Sequence, residues 1–415
     1  MTILSPEYLY TPEGYRRGLA VAFDETIRAV DSSDSLRARY PEAEYRDLGE
    51  RSILYPGLIN VHVHLEYSAN RCRLDYGDFM TWLHSVIRER DRLVNEADDA
   101  TMEAACAGML RSGITSFGAI SSFGADLEVC RRVPQRVTYF NEMIGSNPAT
   151  VDALYQDFLQ RVDASRIDAE TDRITPAVAI HAPHSVHPVA VRRAVALARE
   201  EQMPLSAHFL ESPYEREWLE EASGKFRDFF REYLKTERPV TGIEEFLSLF
   251  DETPTLFVHA VQTTDEERGY MAGRGHFVAH CPRSNRLLGC GRYPIEDRRL
   301  PVALATDGLS SNWSLNLFDE MRAALMFHHQ GPLEALAERL ITAVTRDAAR
   351  AIRSDAGQIV PDAPADFALI RLPQACERTE TLALHTILHT HEAEMVWIAG
   401  SMVRESAAAE QNHHI

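Results

Sequence analysis

Lysine is nearly missing from this chain: only Lys225 and Lys235 occur, and the rest of its 43 basic residues are arginine. Any mechanism that needs a lysine at a particular strand end has almost no candidates. Basic charge is short altogether, because 62 acidic residues bring the formal net charge to −19. That balance argues against nucleic acid and anionic membranes as partners, since both require a basic surface. A small molecule is the expected partner. Long apolar runs are absent too, with nothing near the ~18 residues that read as a membrane span. The start, Met1-Thr2-Ile3-Leu4-Ser5-Pro6-Glu7, has neither a basic segment nor an apolar signal core, so a cytoplasmic protein is expected. Cysteine pairing is the last absence. The six cysteines, Cys72, Cys106, Cys130, Cys281, Cys290 and Cys376, contain no C-x-x-C, which fits reduced thiols better than a disulfide framework or a zinc ribbon.

What is present is enough apolar residue, 45% of 415 positions, to bury a large core. Its pattern alternates. Short apolar runs of strand character fall at 113–120, 136–145, 174–181, 204–209, 255–261, 276–280 and 301–306, with helix-like periodicity at 78–111, 151–162, 188–201, 214–250 and 264–272. Adding the run that ends in His62 and His64 gives eight buried-looking strands separated by helices. That is the requirement of a parallel (β/α)8 TIM-like barrel, with a doubly wound sheet as the alternative. Short strands at 18–23 and 52–55, and again at 366–370 and 395–399 after a helical stretch at 333–350, predict a small β-sandwich built from both termini. The expected domains are 1–55 and 353–415 for the sandwich and 56–352 for the barrel. The polar tail, 406–415, with His413 and His414, is expected to fray.

The stretch Pro56-Gly57-Leu58-Ile59-Asn60-Val61-His62-Val63-His64-Leu65-Glu66 organises the chain. Alternate residues of a strand share a face, so His62 and His64 point the same way with metal-chelating spacing. Neutral imidazoles suit zinc and other first-row divalent ions. An H-x-H pair alone is weak, because two strand histidines are as readily structural. In a barrel, however, the site forms at the C-terminal strand ends, and polar residues close other apolar strands too. His208 and Glu211 end the fifth in Ser206-Ala207-His208-Phe209-Leu210-Glu211, His259 ends the sixth, and Asp307 ends the eighth.

The succession H-x-H, H-x-x-E, His and Asp on barrel strands resembles the amidohydrolase superfamily across essentially the whole chain. Pro56 to Asn60, His181-Ala182-Pro183-His184-Ser185 and Thr306-Asp307-Gly308 resemble its branch that deaminates purines, pterins and related heterocycles. Asn60 to Ser68 and Asp307-Gly308-Leu309-Ser310-Ser311-Asn312 are most similar to deaminases of adenine-type nucleosides, one group of which takes a substrate with a benzoate on its ribose. Some relatives bridge two metals with a carboxylated lysine. Here the fourth strand ends in His181 and His184, and both lysines fall in a helical stretch, so one divalent transition metal per chain is expected, zinc first and iron second. The resemblance implies His62, His64, His208 and Asp307 as ligands, with an open position for water.

By the same resemblance Glu211, His259 and Asp307 are the catalytic residues. Glu211, three residues after a ligand, is expected to move a proton from the water to the ring nitrogen and then to departing ammonia. His259 either ligates the metal or polarises the hydroxide. For substrate binding the resemblance assigns His184. Asp91 matches, by its distance from Trp82, the carboxylate that meets ribose hydroxyls, although the usual Pro and Glu of that stretch are missing. Arg88 or Arg90 is the expected partner of a substrate carboxylate, and Cys281-Pro282-Arg283-Ser284-Asn285 is expected to shape the ring pocket. The expected partner is thus a nucleoside-like small molecule, and the resemblance leaves room for a homodimer. S-adenosylhomocysteine-like or triazine substrates, and a non-catalytic scaffold, are the alternatives.

Overall fold

The structure is a computed structural model that describes residues 1–70, 72–166 and 173–406. Of the expected frayed tail, 407–415 lies outside the described residues. Eight strands, numbered β1 to β8 in chain order, form one sheet: Leu58–Val63, Ile114–Ser121, Arg136–Met143, Ile174–Ile180, Leu205–Phe209, Leu256–His259, Phe277–His280 and Val302–Leu304. Each neighbours its successor, and β3 to β8 pair in parallel. The Asp307 amide, just past β8, donates to the His62 carbonyl at 3.2 Å, so the last strand end meets the first. This is the predicted barrel, nearly closed. Every residue of β1 and β2 is buried, which is why these strands read as continuous apolar runs instead of alternating ones.

By packing the chain divides into two compact units, one of Val61–Ala105 with Gly118–Leu315, the other of Met1–Asn60, Cys106–Phe117 and the chain from Asn316 onward. The first carries the C-terminal ends of the barrel strands. In the second, strands from both termini join in one mixed sheet. Phe367–Arg371 lies antiparallel to Glu44–Pro56, and Thr2–Thr11 parallel to it. Register shifts flank Pro6, which has no amide to give the ladder. Strand alternation assigns Val21 and Phe23 to one core, with Leu54, Phe367 and Trp397. Ala20 and Ala22 belong to a second, with Ile3 and Leu36.

Three predicted helices are broken. The 78–111 stretch forms Phe79–Glu96 and Asp99–Arg111, because the Asp98 carboxylate takes the Thr101 amide at 2.8 Å and starts a second helix. The 214–250 stretch is three helices, Pro213–Glu221, Gly224–Tyr233 and Ile243–Ser248, the first ending at left-handed Ala222. The 333–350 stretch breaks at Thr345, whose dihedrals are not helical. No helix of the described residues is long and apolar enough to cross a membrane. All six cysteines are thiols.

Candidate metal centre and active site

His62 and His64 stand on one face of β1 and its end, and β5 brings His208 opposite. The His62 Nε2 lies 3.1 Å from His64 Nε2 and 3.2 Å from His208 Nε2. Two imidazoles can share one proton, but three nitrogens converging on one point suit a cation better. Tetrahedral zinc with bonds of about 2.0–2.1 Å would hold its nitrogens about 3.3 Å apart. Asp307 adds a fourth donor, with Oδ1 at 3.6 Å from the Nε2 of both His62 and His64.

His64, His208 and Asp307 are in ligating form. Burial first, then the neighbouring His62 charge, pushes His64 down to about 4. Burial and the surrounding imidazoles push His208 well below the ordinary value, so both are neutral near pH 7. The His208 Nδ1 donates to the His181 carbonyl at 2.6 Å, which turns the Nε2 lone pair inward. Burial alone would raise Asp307, yet its hydrogen bond to His62 and the nearby imidazoles hold it well below the usual carboxylate range. Its Oδ2 accepts from Ser284 Oγ at 2.8 Å and Ser311 Oγ at 2.7 Å. These buried donors fit a divalent metal, and one ligand atom from each of the three histidines lies within 4.8 Å of the others.

Beside the cluster, Glu211 Oε1 is 3.5 Å from His259 Nε2. Burial raises the Glu211 carboxyl well above its ordinary value, with the Asp307 and Glu215 charges adding to it. Burial likewise lowers His259 to about 4. Its Nδ1 donates to Asn285 Oδ1 at 2.8 Å, so Nε2, the acceptor, faces Glu211. Backbone strain marks the same strand ends. Leu210, His259, Ala260 and Asp307 all have positive φ, between 47° and 68°, a conformation that non-glycine residues hold only where their surroundings enforce it.

His184 is brought into this unit of the chain through Glu215, which the sequence reading missed. Its Nδ1 is 3.5 Å from Glu215 Oε1, while Glu215 Oε2 accepts the Glu211 amide at 2.8 Å. Burial would raise Glu215, but the His184 contact outweighs it and the group is lowered. The only sequence signal was the pattern Ser212-x-x-Glu215, which reads as a helix start; Ser212 does cap that helix, yet the glutamate reaches back to Glu211. Phe226 and Phe230 pack on the His184 ring at 5.0 and 5.9 Å. Glu66 was also unassigned. Its carboxylate accepts the amides of Ser122, Phe123 and Ala125 at 2.8 to 3.1 Å and so ties the loop after β2 to the segment bearing His64.

Two expected substrate residues are not gathered with the rest. The Asp91 side chain is 93% exposed, and its one ion pair among the described residues is with Arg90, at 3.7 Å. Nine residues beyond Trp82 is about 2.5 helical turns, so Asp91 points opposite to Trp82, whose indole donates to the Ser310 carbonyl at 2.9 Å. Arg88 turns to Asp75 and Glu89, each at 3.3 Å.

A strand-end cluster of three histidines and an aspartate on a parallel barrel defines a class of metal-dependent hydrolases, and the comparison with known families agrees. The sequence model of the amidohydrolase family matches residues 53–403, and the chain belongs to that family. Among its relatives, an aminodeoxyfutalosine deaminase of Nitratiruptor is 44% identical over 96% of this chain and 98% of its own length. An adenosine deaminase of Helicobacter pylori is 33% identical, covering 92% of this chain and 94% of its own. The crystal structure of Helicobacter pylori aminofutalosine deaminase with methylthio-coformycin superposes with a TM-score of 0.92 at 31% identity, over 97% of this chain and all of that one.

Proposed function

We propose that this protein is a metal-dependent aminohydrolase that converts aminodeoxyfutalosine and water into futalosine and ammonia, a step of menaquinone biosynthesis in the cytoplasm. The observation that carries the reading is the convergence of His62, His64 and His208 nitrogens beside a buried acid, Glu211, in a chain 44% identical to an aminodeoxyfutalosine deaminase. His62, His64, His208 and Asp307 are the proposed ligands, zinc the proposed metal and iron the alternative. A metal held by these residues would supply Lewis acidity, which brings a bound water's pKa from 15.7 towards roughly 7.

The protein's own groups do the rest. Glu211, kept proton-hungry by burial, takes a proton from the attacking water and delivers it to the ring nitrogen, so that aromatic stabilisation is not lost to a bare anion. The same carboxyl then takes the proton of the added hydroxyl and passes it to the amino group, which leaves as ammonia as the C–N bond breaks and the ring carbonyl forms. Such acid–base steps contribute roughly 100 to 10,000-fold. His259, with its Nδ1 proton held by Asn285, presents Nε2 as an acceptor and orients the water. Asp307, fixed by Ser284 and Ser311, aims its other oxygen at the same place. His184, braced by Glu215, is proposed to donate to the ring.

The test is ammonia release by the purified enzyme from aminodeoxyfutalosine, adenosine, S-adenosylhomocysteine and a triazine. Highest kcat/KM on aminodeoxyfutalosine is expected; a preference for another member of the panel replaces the substrate but keeps the chemistry.

A further inference from the structure

One cation and one aromatic ring near His64 have no part in the chemistry above. The Phe79–Glu96 helix follows β1 and presents Arg88, Arg90 and Arg92. At about 100° per residue, Arg90 falls about 80° from Trp82 around the helix, whereas Arg88 falls about 120° away on the other side. The difference decides their surroundings. Arg88 is satisfied by Asp75 and Glu89, and Arg92 by Glu96 at 2.9 Å. Arg90 has one ion pair among the described residues, the 3.7 Å contact with solvent-exposed Asp91, a pair that water screens to little value.

Arg90 instead lies over Phe123, its guanidinium carbon 5.8 Å from the ring centre. Phe123 is 44% exposed, so part of its ring is open to solvent. It is also anchored, since its amide donates to Glu66 at 3.1 Å, two residues from His64. Tyr67 is 6.4 Å from His64 centre to centre and close enough to Arg90 to feel its charge. Tyr67 and Glu66 thus relate the Arg90–Phe123 pair to the segment that bears His64. The pair combines a flat apolar face with a weakly paired planar cation, the chemistry that takes an aryl group by stacking and its carboxylate by bidentate hydrogen bonding.

We propose that Arg90 and Phe123 form a subsite for an aryl carboxylate carried on the sugar of an adenine-type nucleoside. The inference rests on the aminodeoxyfutalosine reading, whose substrate carries a benzoate on its ribose. It assigns to Arg90 the carboxylate contact that the sequence left between Arg88 and Arg90.

The test compares kcat/KM for aminodeoxyfutalosine, its analogue with phenyl in place of benzoate, and adenosine. Arg90→Met should lower the value on the carboxylated nucleoside by roughly 10 to 100-fold, the worth of a charge-assisted contact, and leave the phenyl analogue and adenosine within about twofold. Arg90→Lys should recover part of the loss, and Arg92→Met should change none of the ratios. Phe123→Ala should weaken both aryl substrates but not adenosine. If Arg90→Met lowers all three substrates equally, or none, the subsite is overturned while the deaminase reading stands. If the unmodified enzyme prefers adenosine to the carboxylated nucleoside, the substrate reading falls and the subsite falls with it.

Discussion

Glu211 Oε1 and His259 Nε2 lie 3.5 Å apart, on the ends of adjacent strands that pair as Phe209 with His259. Both are buried, and burial shifts them in opposite senses, the carboxyl up and the imidazole down. The pair sets a carboxyl with a raised affinity for protons beside a neutral imidazole acceptor, which suits the proposed proton transfer by Glu211 and the proposed positioning of the water by His259.

Removing the acid separates proton transfer from metal binding. Glu211→Gln should retain its metal and bind substrate with little change, while kcat falls by roughly 100-fold or more. Steady-state kinetics with metal analysis of the variant checks this, and near-normal turnover would assign the proton to another group.

Asn285 holds His259 through its Oδ1, while its Nδ2 lies 3.5 Å from His280 Nδ1. Asn285→Leu leaves the His259 Nδ1 without its 2.8 Å partner and should cost roughly 10 to 100-fold in kcat, the usual scale for a group that orients a site histidine. Asn285→Asp keeps an acceptor and should recover much of that loss. Equal damage from both variants would mean that Asn285 serves packing alone.

Gly308 is constrained by space. A Cβ there would sit 2.9 Å from His64 Cβ, too close without movement of the ligand-bearing chain. Gly308→Ala should destabilise the protein by about 1–3 kcal/mol and weaken metal retention. Thermal unfolding with and without added zinc measures both effects.

Asp78 caps the Phe79–Glu96 helix and receives Tyr214 and Lys225 from the chain after β5. Burial would raise its pKa, but the Tyr214 hydroxyl, the Thr81 amide and Lys225 together lower it to about 2. A depressed folded-state pKa means stability present above the unfolded value near 3.8 and lost as pH falls towards 2. Asp78→Asn should therefore cost about 1 kcal/mol at pH 7 after allowance for solvent screening, with the difference from the parent shrinking below pH 4. Urea midpoints at pH 7 and pH 3 give the comparison, and a pH-independent difference would leave the Asp78 charge without a role.

Much of the barrel and of the histidine cluster at its mouth was legible because both follow simple periods. A parallel strand buried on two faces is a continuous apolar run, and a polar residue that ends such a run stands at the barrel mouth, as His64, His208, His259 and Asp307 do. What escaped depends on rotation and on contacts distant in sequence. Counting from Trp82 reached Asp91 but not the half-turn that faces it into solvent, and the choice between Arg88 and Arg90 needed the position of Phe123. Glu215 carries no sequence signal beyond a helix-start pattern, and its contact with His184 exists only in the fold. The break at Asp98 hid behind unbroken helical periodicity, because one carboxylate capping Thr101 decides it.

The account stands most directly on one metal per chain, held by His62, His64, His208 and Asp307. Elemental analysis should be paired with ammonia release from aminodeoxyfutalosine as a chelator strips the protein and zinc or iron is returned. Activity is expected to fall and recover in proportion to a single equivalent, and to be lost with the metal in His208→Ala. Two tightly held equivalents, or full activity in metal-free protein, would contradict it.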